Sequence, residues 1–144
     1  MASVHDVAKF ITEQIGEIPA MKLQKLAFYS QAWHMVWEDQ PLFAEDFEAW
    51  ANGPVSMDLY HYHRGMFAVD ANTFRVGNSA NLNDNERESI QRVISFYGQQ
   101  TAQWLSNLTH QERPWLDARG DLPPGAISRE RIAKSSIHEY YSAL

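Results

Sequence analysis

Six histidines and eighteen acidic residues are the side chains of this sequence that could bind a metal or transfer a proton. His34 and Glu38 lie one helical turn apart, but a zinc-protease helix needs two histidines at that spacing with a glutamate beside the first. His61 and His63 are two residues apart, so their side chains diverge on a helix, and Asp58 with His61 supplies only two ligands. We therefore expect no metal site and no cofactor.

His110, which follows Leu108 and Thr109, is the strongest candidate for a general base. Such a base needs a nucleophile and an orienting acid, and the nearby hydroxyl and carboxyl groups show no recognised arrangement of that kind. The favoured interpretation is structural: the imidazole or the Thr109 hydroxyl satisfies backbone groups where a helix ends, and Trp115 packs that corner against the core. We expect no enzymatic activity, and a hydrolase that uses His110 or His34 is the alternative from another functional class.

The composition narrows the class of protein further. A chain of 144 residues with 44% hydrophobic residues suits one domain, residues 1–144, with one core. The net charge of −6 argues against non-specific nucleic-acid binding. The excess of acidic residues would favour a basic protein partner, and simple solubility explains it equally well. There is no cysteine, no apolar run near the ~20 residues that span a bilayer, and no signal-peptide pattern, so we expect a cytoplasmic protein without a membrane partner.

A long helix from Pro19 to Trp37 is predicted to lie at the centre of the fold. One stripe at helical spacing contains Leu23, Leu26, Ala27, Ser30, Trp33, His34 and Trp37. A second apolar face contains Phe28, Ala32, Met35 and Val36. A helix that is apolar on two sides must be covered on two sides, which favours a central position.

The elements around this helix are predicted from caps, turns and periodicity. A first helix runs from Ser3 to Ile15, with Ser3 as its N-cap and Asp6 at the capping-box position. Residues 46–51 alternate like a short strand, and Asn52-Gly53-Pro54 is interpreted as a turn that starts a third helix ending near Gly65. Residues 73–76 are expected to form a second strand, which pairs with residues 46–51 or with residues 67–69 in a small antiparallel hairpin.

The C-terminal half is predicted to add three more helices. A helical stripe from Asn83 or Asp84 to Leu108 is expected to divide into two helices at or near Gly98. Arg113-Pro114 is interpreted as the end of helical structure, residues 120–125 as a surface loop, and Ser128 as the cap of a last helix. The predicted fold class is mainly α (α+β), with about six helices and one β-hairpin in a compact domain.

Two blocks of the sequence resemble a known family. The first consists of Lys22-Leu-Gln-Lys-Leu-Ala-Phe-Tyr-Ser-Gln-Ala-Trp33, Pro41-Leu42-Phe43 and Glu48-Ala-Trp-Ala-Asn-Gly-Pro-Val55. The second consists of Leu108-Thr-His-Gln-Glu-Arg-Pro-Trp115 with Ala118-Arg119. Together they resemble the Panacea domain of the SocA-like antitoxin family, and the likeness covers most of the chain.

The resemblance implies an antitoxin that binds and neutralises a cognate protein toxin, which we expect to be encoded by the adjacent gene. In one branch of the family the antitoxin is instead an adaptor that delivers its toxin to a Clp-type protease, which is the alternative binding role. A DNA-binding repressor is a third alternative, although such antitoxins usually carry a separate DNA-binding segment and no basic extension is present.

The surface that would bind a toxin is predicted from residue types that form hot spots at interfaces, namely Trp, Tyr and Arg. Trp50 precedes the turn at Asn52, and the outer side of the third helix combines apolar, aromatic and cationic groups. The predicted partner-binding residues are Trp50, Met57, Tyr60, His61 and Arg64. Arg119 is interpreted differently, as a group that pairs with an acid to fix the corner at Trp115.

Overall fold

The computed structural model describes all residues from Met1 to Leu144. Seven helices are present: α1 (Val4–Ile15), α2 (Ala20–Glu38), α3 (Met57–His63), α4 (Asp84–Tyr97), α5 (Ala102–Thr109), α6 (Arg113–Arg119) and α7 (Lys134–Ser142). Five short strands accompany them: β1 (Ile18–Pro19), β2 (Phe47–Trp50), β3 (Gly53–Val55), β4 (Ala68–Val69) and β5 (Arg131–Ile132). The predicted class, mainly helical with small antiparallel sheets, is confirmed.

Helix α2 lies at the centre of the fold, as its two apolar faces predict. It packs against α1, α4, α5, α7 and the hairpin strand β3. Thirty buried apolar residues form one continuous core, and α2 supplies eight of them: Ala20, Leu23, Leu26, Ala27, Phe28, Tyr29, Ala32 and Met35. Because neighbours cover α2 on several sides, even its polar residues Gln24, Lys25 and Ser30 are fully buried.

The predicted helix start at Ser3 and the predicted break at Gly98 are both confirmed. The Ser3 hydroxyl accepts the Asp6 amide, and the Asp6 carboxylate accepts the Ser3 amide, which completes a capping box. Asn83 caps α4 in the same reciprocal way with Glu86. Helix α4 ends at Gly98, where a Cβ atom would lie 2.4 Å from the Ile94 carbonyl oxygen, so the close approach requires glycine.

The predicted hairpin contains the right first strand but the wrong partners. Strand β2 pairs antiparallel with β3, with Ala49 opposite Pro54, and on its other edge with β5. Strand β4 instead pairs with β1, and residues 73–76 form turns. Pro54 therefore lies in an edge strand, where a missing amide is tolerated, and does not start a helix. Helix α3 starts three residues later, where the Ser56 hydroxyl caps the Leu59 amide.

Two predictions for the C-terminal part are wrong. Pro114 does not end helical structure; it lies in the first turn of α6, a position that needs no amide hydrogen bond. Ser128 does not cap the last helix, because its hydroxyl accepts the Glu130 amide and residues 131–132 form β5 before α7 begins. No helix has the length and apolar composition needed to cross a membrane.

Candidate functional site

The tip of the β2–β3 hairpin separates two surface clefts. The larger cleft, of about 620 Å³, lies between the first turns of α2 and α5, and the smaller cleft, of about 340 Å³, lies between the hairpin and residues 127–129. Met21 and Asn52 line both clefts, so the clefts meet at the hairpin tip. We call the two clefts and their rims the hairpin-tip surface.

The fold brings two of the five predicted partner-binding residues together on this surface. The ring of Trp50, on β2, meets the ring of Tyr60, on α3, edge to face at 5.0 Å. Trp50 lines the smaller cleft and Tyr60 lines the larger one. The indole Nε1 of Trp50 donates to Glu48 Oε1 at 2.8 Å, and Arg129 Nε donates to the same oxygen at 3.1 Å, so the indole is held in place.

The other three predicted residues lie on α3 or directly after it, but they line neither cleft. Met57 is partly buried, and His61 and Arg64 are exposed to solvent.

Sequence reasoning missed the most exposed apolar groups of this surface. Phe67 is 83% exposed and Met66 is 44% exposed, and both line the larger cleft. Ile127 is 92% exposed and lines the smaller cleft. The only signal for them in the sequence is that these large apolar residues lie in segments without helical or strand periodicity. Such a segment has no apolar face that packs against the core, so its large apolar side chains stay exposed.

A layer of buried polar side chains lies beneath the hairpin tip. Gln24 Oε1 accepts the Ser56 amide at 2.7 Å, and Gln24 Nε2 donates to the Ser56 carbonyl at 3.1 Å and lies 3.0 Å from His63 Nε2. The amide nitrogen of Gln24 can only donate hydrogen bonds, so the His63 Nε2 that faces it must accept one. The proton of the neutral His63 ring is therefore on Nδ1. Burial, together with the nearby Lys25, lowers the pKa of His63, which favours this neutral form.

Lys25 is the most unusual member of this layer. Its side chain is completely buried, and its Nζ has no hydrogen-bond partner within the chain. Burial lowers the pKa of Lys25 to about 7. The end of the side chain lies against Gly53: a Cβ atom there would be 2.6 Å from Lys25 Cε, 3.3 Å from Lys25 Nζ and 2.8 Å from Thr109 Oγ1. With φ of +114°, Gly53 also has a backbone conformation that other residues rarely adopt.

His110 lies beside this layer, and its ring nitrogens make no hydrogen bond to a nucleophile. Its ring stacks on Trp115 at 4.2 Å, and its Nε2 is buried without a partner. Burial and the cations Lys25 and Arg119 lower the pKa of His110. The Thr109 hydroxyl donates to the Ser106 carbonyl at 2.7 Å, which is the helix-end role expected for it.

His34 does have a hydroxyl beside it, since its Nδ1 lies 2.8 Å from Ser89 Oγ. Both side chains are only 3% exposed, and neither lines either cleft of the hairpin-tip surface. Nowhere do three His, Asp or Glu side chains converge as metal ligands would.

Two buried charged residues, Arg119 and Glu112, connect α6 to the elements around it. Arg119 was expected to pair with an acid, but its guanidinium donates to the carbonyls of Ala49, Pro123 and Ala126 and lies over the Trp115 ring at 4.9 Å. Glu112 Oε1 accepts the hydroxyls of Tyr29 and Tyr141, both at 2.6 Å, and so ties α6 to α2 and α7.

The comparison with known protein families identifies the class of this domain. A family model described as antitoxin SocA-like, Panacea domain, matches residues 23–116. This range covers about two thirds of the chain and includes the hairpin tip, Lys25 and Glu112. The chain therefore belongs to the SocA-like antitoxin family with a Panacea domain. Searches of curated proteins and of solved structures gave no significant match.

Proposed function

We propose that this protein is an antitoxin that neutralises a cognate protein toxin by binding it directly through the hairpin-tip surface. The observation that carries the proposal is the set of exposed apolar side chains, Met66, Phe67 and Ile127, around two adjoining clefts. Exposed apolar groups of this size beside concave surface are typical of protein-binding sites. Family membership supplies the expectation of a toxin as the partner.

The Trp50–Tyr60 pair is suited to be the anchor of this interface. Both rings are partly buried, and Trp50 is held by Glu48, so little rotamer freedom is left to lose on binding. Aromatic groups of this kind dominate the free energy of many interfaces. Met57, His61 and Arg64 would form the rim, where single contacts contribute less.

The net charge of −6 supports a basic partner, because opposite net charges accelerate association. We expect the toxin to be encoded by the adjacent gene and to meet the antitoxin in the cytoplasm. The proposed action uses no catalytic group. Neither His34 nor His110 contributes to the hairpin-tip surface, so their replacement by Gln in a folded protein is expected to leave neutralisation intact.

The first test is co-expression of this protein with the product of the neighbouring gene. The neighbour alone is expected to stop growth, and both together are expected to restore it and to co-purify. A harmless neighbour that forms no complex would contradict the proposal.

The second test places the interface. Tyr60→Ala and Phe67→Ser are each expected to weaken the purified complex by about tenfold or more. The matched control is Phe96→Ser, which removes an aromatic ring that is 74% exposed in a separate cleft lined by Trp33 and Trp37. Equal losses for Phe67→Ser and Phe96→Ser, or no loss for the first, would contradict this placement.

Direct binding is separated from protease delivery by omitting the protease. Under the proposal, the purified antitoxin inhibits the purified toxin with no other protein present, and rescue persists in cells that lack Clp-type proteases. Rescue that disappears in such cells would favour the adaptor role.

A further inference from the structure

The sheet that contains the hairpin has an open edge at β5. The strand order is β3-β2-β5, so β5 pairs with β2 on one side and has no strand on the other. Phe47 lies opposite Ile132, and the Ala49 amide donates to the Glu130 carbonyl at 2.8 Å. Because successive residues of a strand direct their main-chain groups to opposite edges, the amide and carbonyl of Arg131 point away from β2.

The pairing between β2 and this segment stops at Glu130, where two side chains take its place. The Ser128 hydroxyl accepts the Glu130 amide at 3.1 Å, and the Arg119 guanidinium donates to the Ala49 carbonyl at 3.0 Å. That amide and that carbonyl are the two groups that would form the next hydrogen bond of the ladder. Beyond this point the chain separates from β2, and the smaller cleft lies between the hairpin and residues 127–129.

The main-chain groups along this edge are unpaired and accessible. Neither the amide nor the carbonyl of Ile127 makes a hydrogen bond within the chain, and the same holds for Arg129. The side chain of Ile127 is 92% exposed, and Arg129, Glu130 and Arg131 are exposed as well. Unpaired amides and carbonyls at the edge of a sheet are a template for one more strand. The partner that this edge fits is therefore an extended polypeptide segment.

The charges on the edge disfavour a second copy of this chain as that segment. Two copies paired antiparallel about a two-fold axis at Glu130 would place Glu130 opposite Glu130 and Arg129 opposite Arg131. An axis at Arg131 would place two arginines opposite each other, and like charges directly opposite on neighbouring strands are destabilising. The edge is instead continuous with the hairpin-tip surface, because Ile127, Ser128 and Arg129 line the smaller cleft.

We propose that an extended segment of the toxin adds a strand to the outer edge of β5, with main-chain hydrogen bonds to Arg129 and Arg131. The exposed side chain of Ile127 gives this segment an apolar contact beside the smaller cleft. In this mode of binding the main-chain bonds supply affinity, and side chains at alternate positions supply specificity. This inference rests on the proposed function, since it specifies how the toxin is bound at the same surface.

The direct test is amide hydrogen exchange of the wild-type antitoxin, measured by NMR for the free protein and for the purified complex. The Arg129 and Arg131 amides are expected to exchange fast in the free protein, because they make no hydrogen bond, and at least about tenfold more slowly in the complex. The control is the Asn85 amide, which is also unpaired and lies in the first turn of α4, away from both clefts. Its exchange is expected to be the same in both samples.

The second test is Arg131→Pro, which removes one main-chain donor from the outer edge. An edge strand tolerates proline where its N–H faces outward, so the variant is expected to fold, which circular dichroism and its melting temperature check. It is expected to bind the purified toxin at least about tenfold more weakly. The matched control, Arg131→Ala, loses the same side chain but keeps the amide, and is expected to bind within about threefold of the wild type. The exchange measurement uses no variant, so it decides the question if Arg131→Pro is unfolded.

The outcomes separate the two proposals. Amides that exchange as fast in the complex as in the free protein overturn strand addition, and so does a folded Arg131→Pro protein that binds as tightly as Arg131→Ala. In either case, losses caused by Tyr60→Ala and Phe67→Ser would leave the hairpin-tip interface standing. Protection of the two amides that appears in the antitoxin alone and grows with its concentration would mean that two copies pair, and would overturn the toxin as the added strand. A wild-type chain that does not bind the toxin at all overturns both proposals.

Discussion

Lys25 allows a quantitative prediction, because its amine is buried without a partner. Burial moves the pKa of Lys25 from 10.5 to about 7, and each tenfold change in a protonation constant corresponds to about 1.36 kcal/mol. The unfolded chain therefore binds more protons than the folded chain between pH 7 and 10.5. The destabilisation that the buried Lys25 causes is complete below pH 7, decreases as the pH rises and vanishes above pH 10.5.

The perturbation is Lys25→Met, which removes the amine and with it the destabilisation that its burial causes. By that linkage the variant gains about 4 kcal/mol over the wild type at pH 7 and about 2 kcal/mol at pH 9. The assay is equilibrium unfolding in urea at pH 7, 8 and 9, with the difference between the two proteins taken at each pH so that other titrating groups cancel. Lys9→Met is the control and is expected to show no gain, because it loses its hydrogen bond to Ala71.

Two results would refute this reasoning. A Lys25→Met protein that is less stable than the wild type at pH 7 would mean that the amine makes favourable interactions in the folded chain. A gain that does not change between pH 7 and 9 would mean that the gain comes from packing and not from the proton equilibrium.

Three further predictions concern the groups that support the site. Tyr141→Phe removes one of two hydroxyls bonded to buried Glu112 and is expected to lower the free energy of unfolding by about 1.5–3 kcal/mol, with Tyr140→Phe, a neighbour outside that pair of bonds, as the near-neutral control in thermal unfolding. Gly53→Ala combines a φ of +114° with contacts under 3 Å and is expected to lose about 2 kcal/mol or more in urea unfolding; a neutral result would contradict the turn geometry. Arg119→Lys loses the planar group that reaches several carbonyls and is expected to lower the melting temperature by about 5 °C or more, whereas an unchanged melting temperature would show that one ammonium suffices.

Much of the helical structure could be predicted from the sequence because its causes are local. The N-caps at Ser3 and Asn83 depend on side chains three residues from their partners. The position of α2 followed from a pattern within nineteen residues. Each of these features is decided by neighbours along the chain, which the sequence shows directly.

The sheet pairings could not be predicted in the same way. Strand β5 contains two residues and pairs with β2 more than eighty positions earlier, so no local pattern marks it. The turn at Asn52 was recognised, but a Pro after a Gly fits both a helix start and an edge strand. The packing of β3 against α2, which places Gly53 in contact with the Lys25 side chain, decides between a helix start and an edge strand.

The candidate site shows the same division between local and distant causes. Trp50 and Tyr60 were identified by residue type and do meet, because a short hairpin connects the strand and the helix that carry them. Lys25 was hidden, because a lysine within a helical stripe ordinarily lies at the polar edge and extends its amine into water. Here α2 is covered on several sides, so the helix has no solvent-exposed polar edge at Lys25. The central position of α2 therefore buries the Lys25 amine beneath the hairpin tip. If the amine contributed nothing to binding, replacement by Met would improve stability at no loss of function, so the comparison of stability with affinity in this one variant decides what the buried lysine is for.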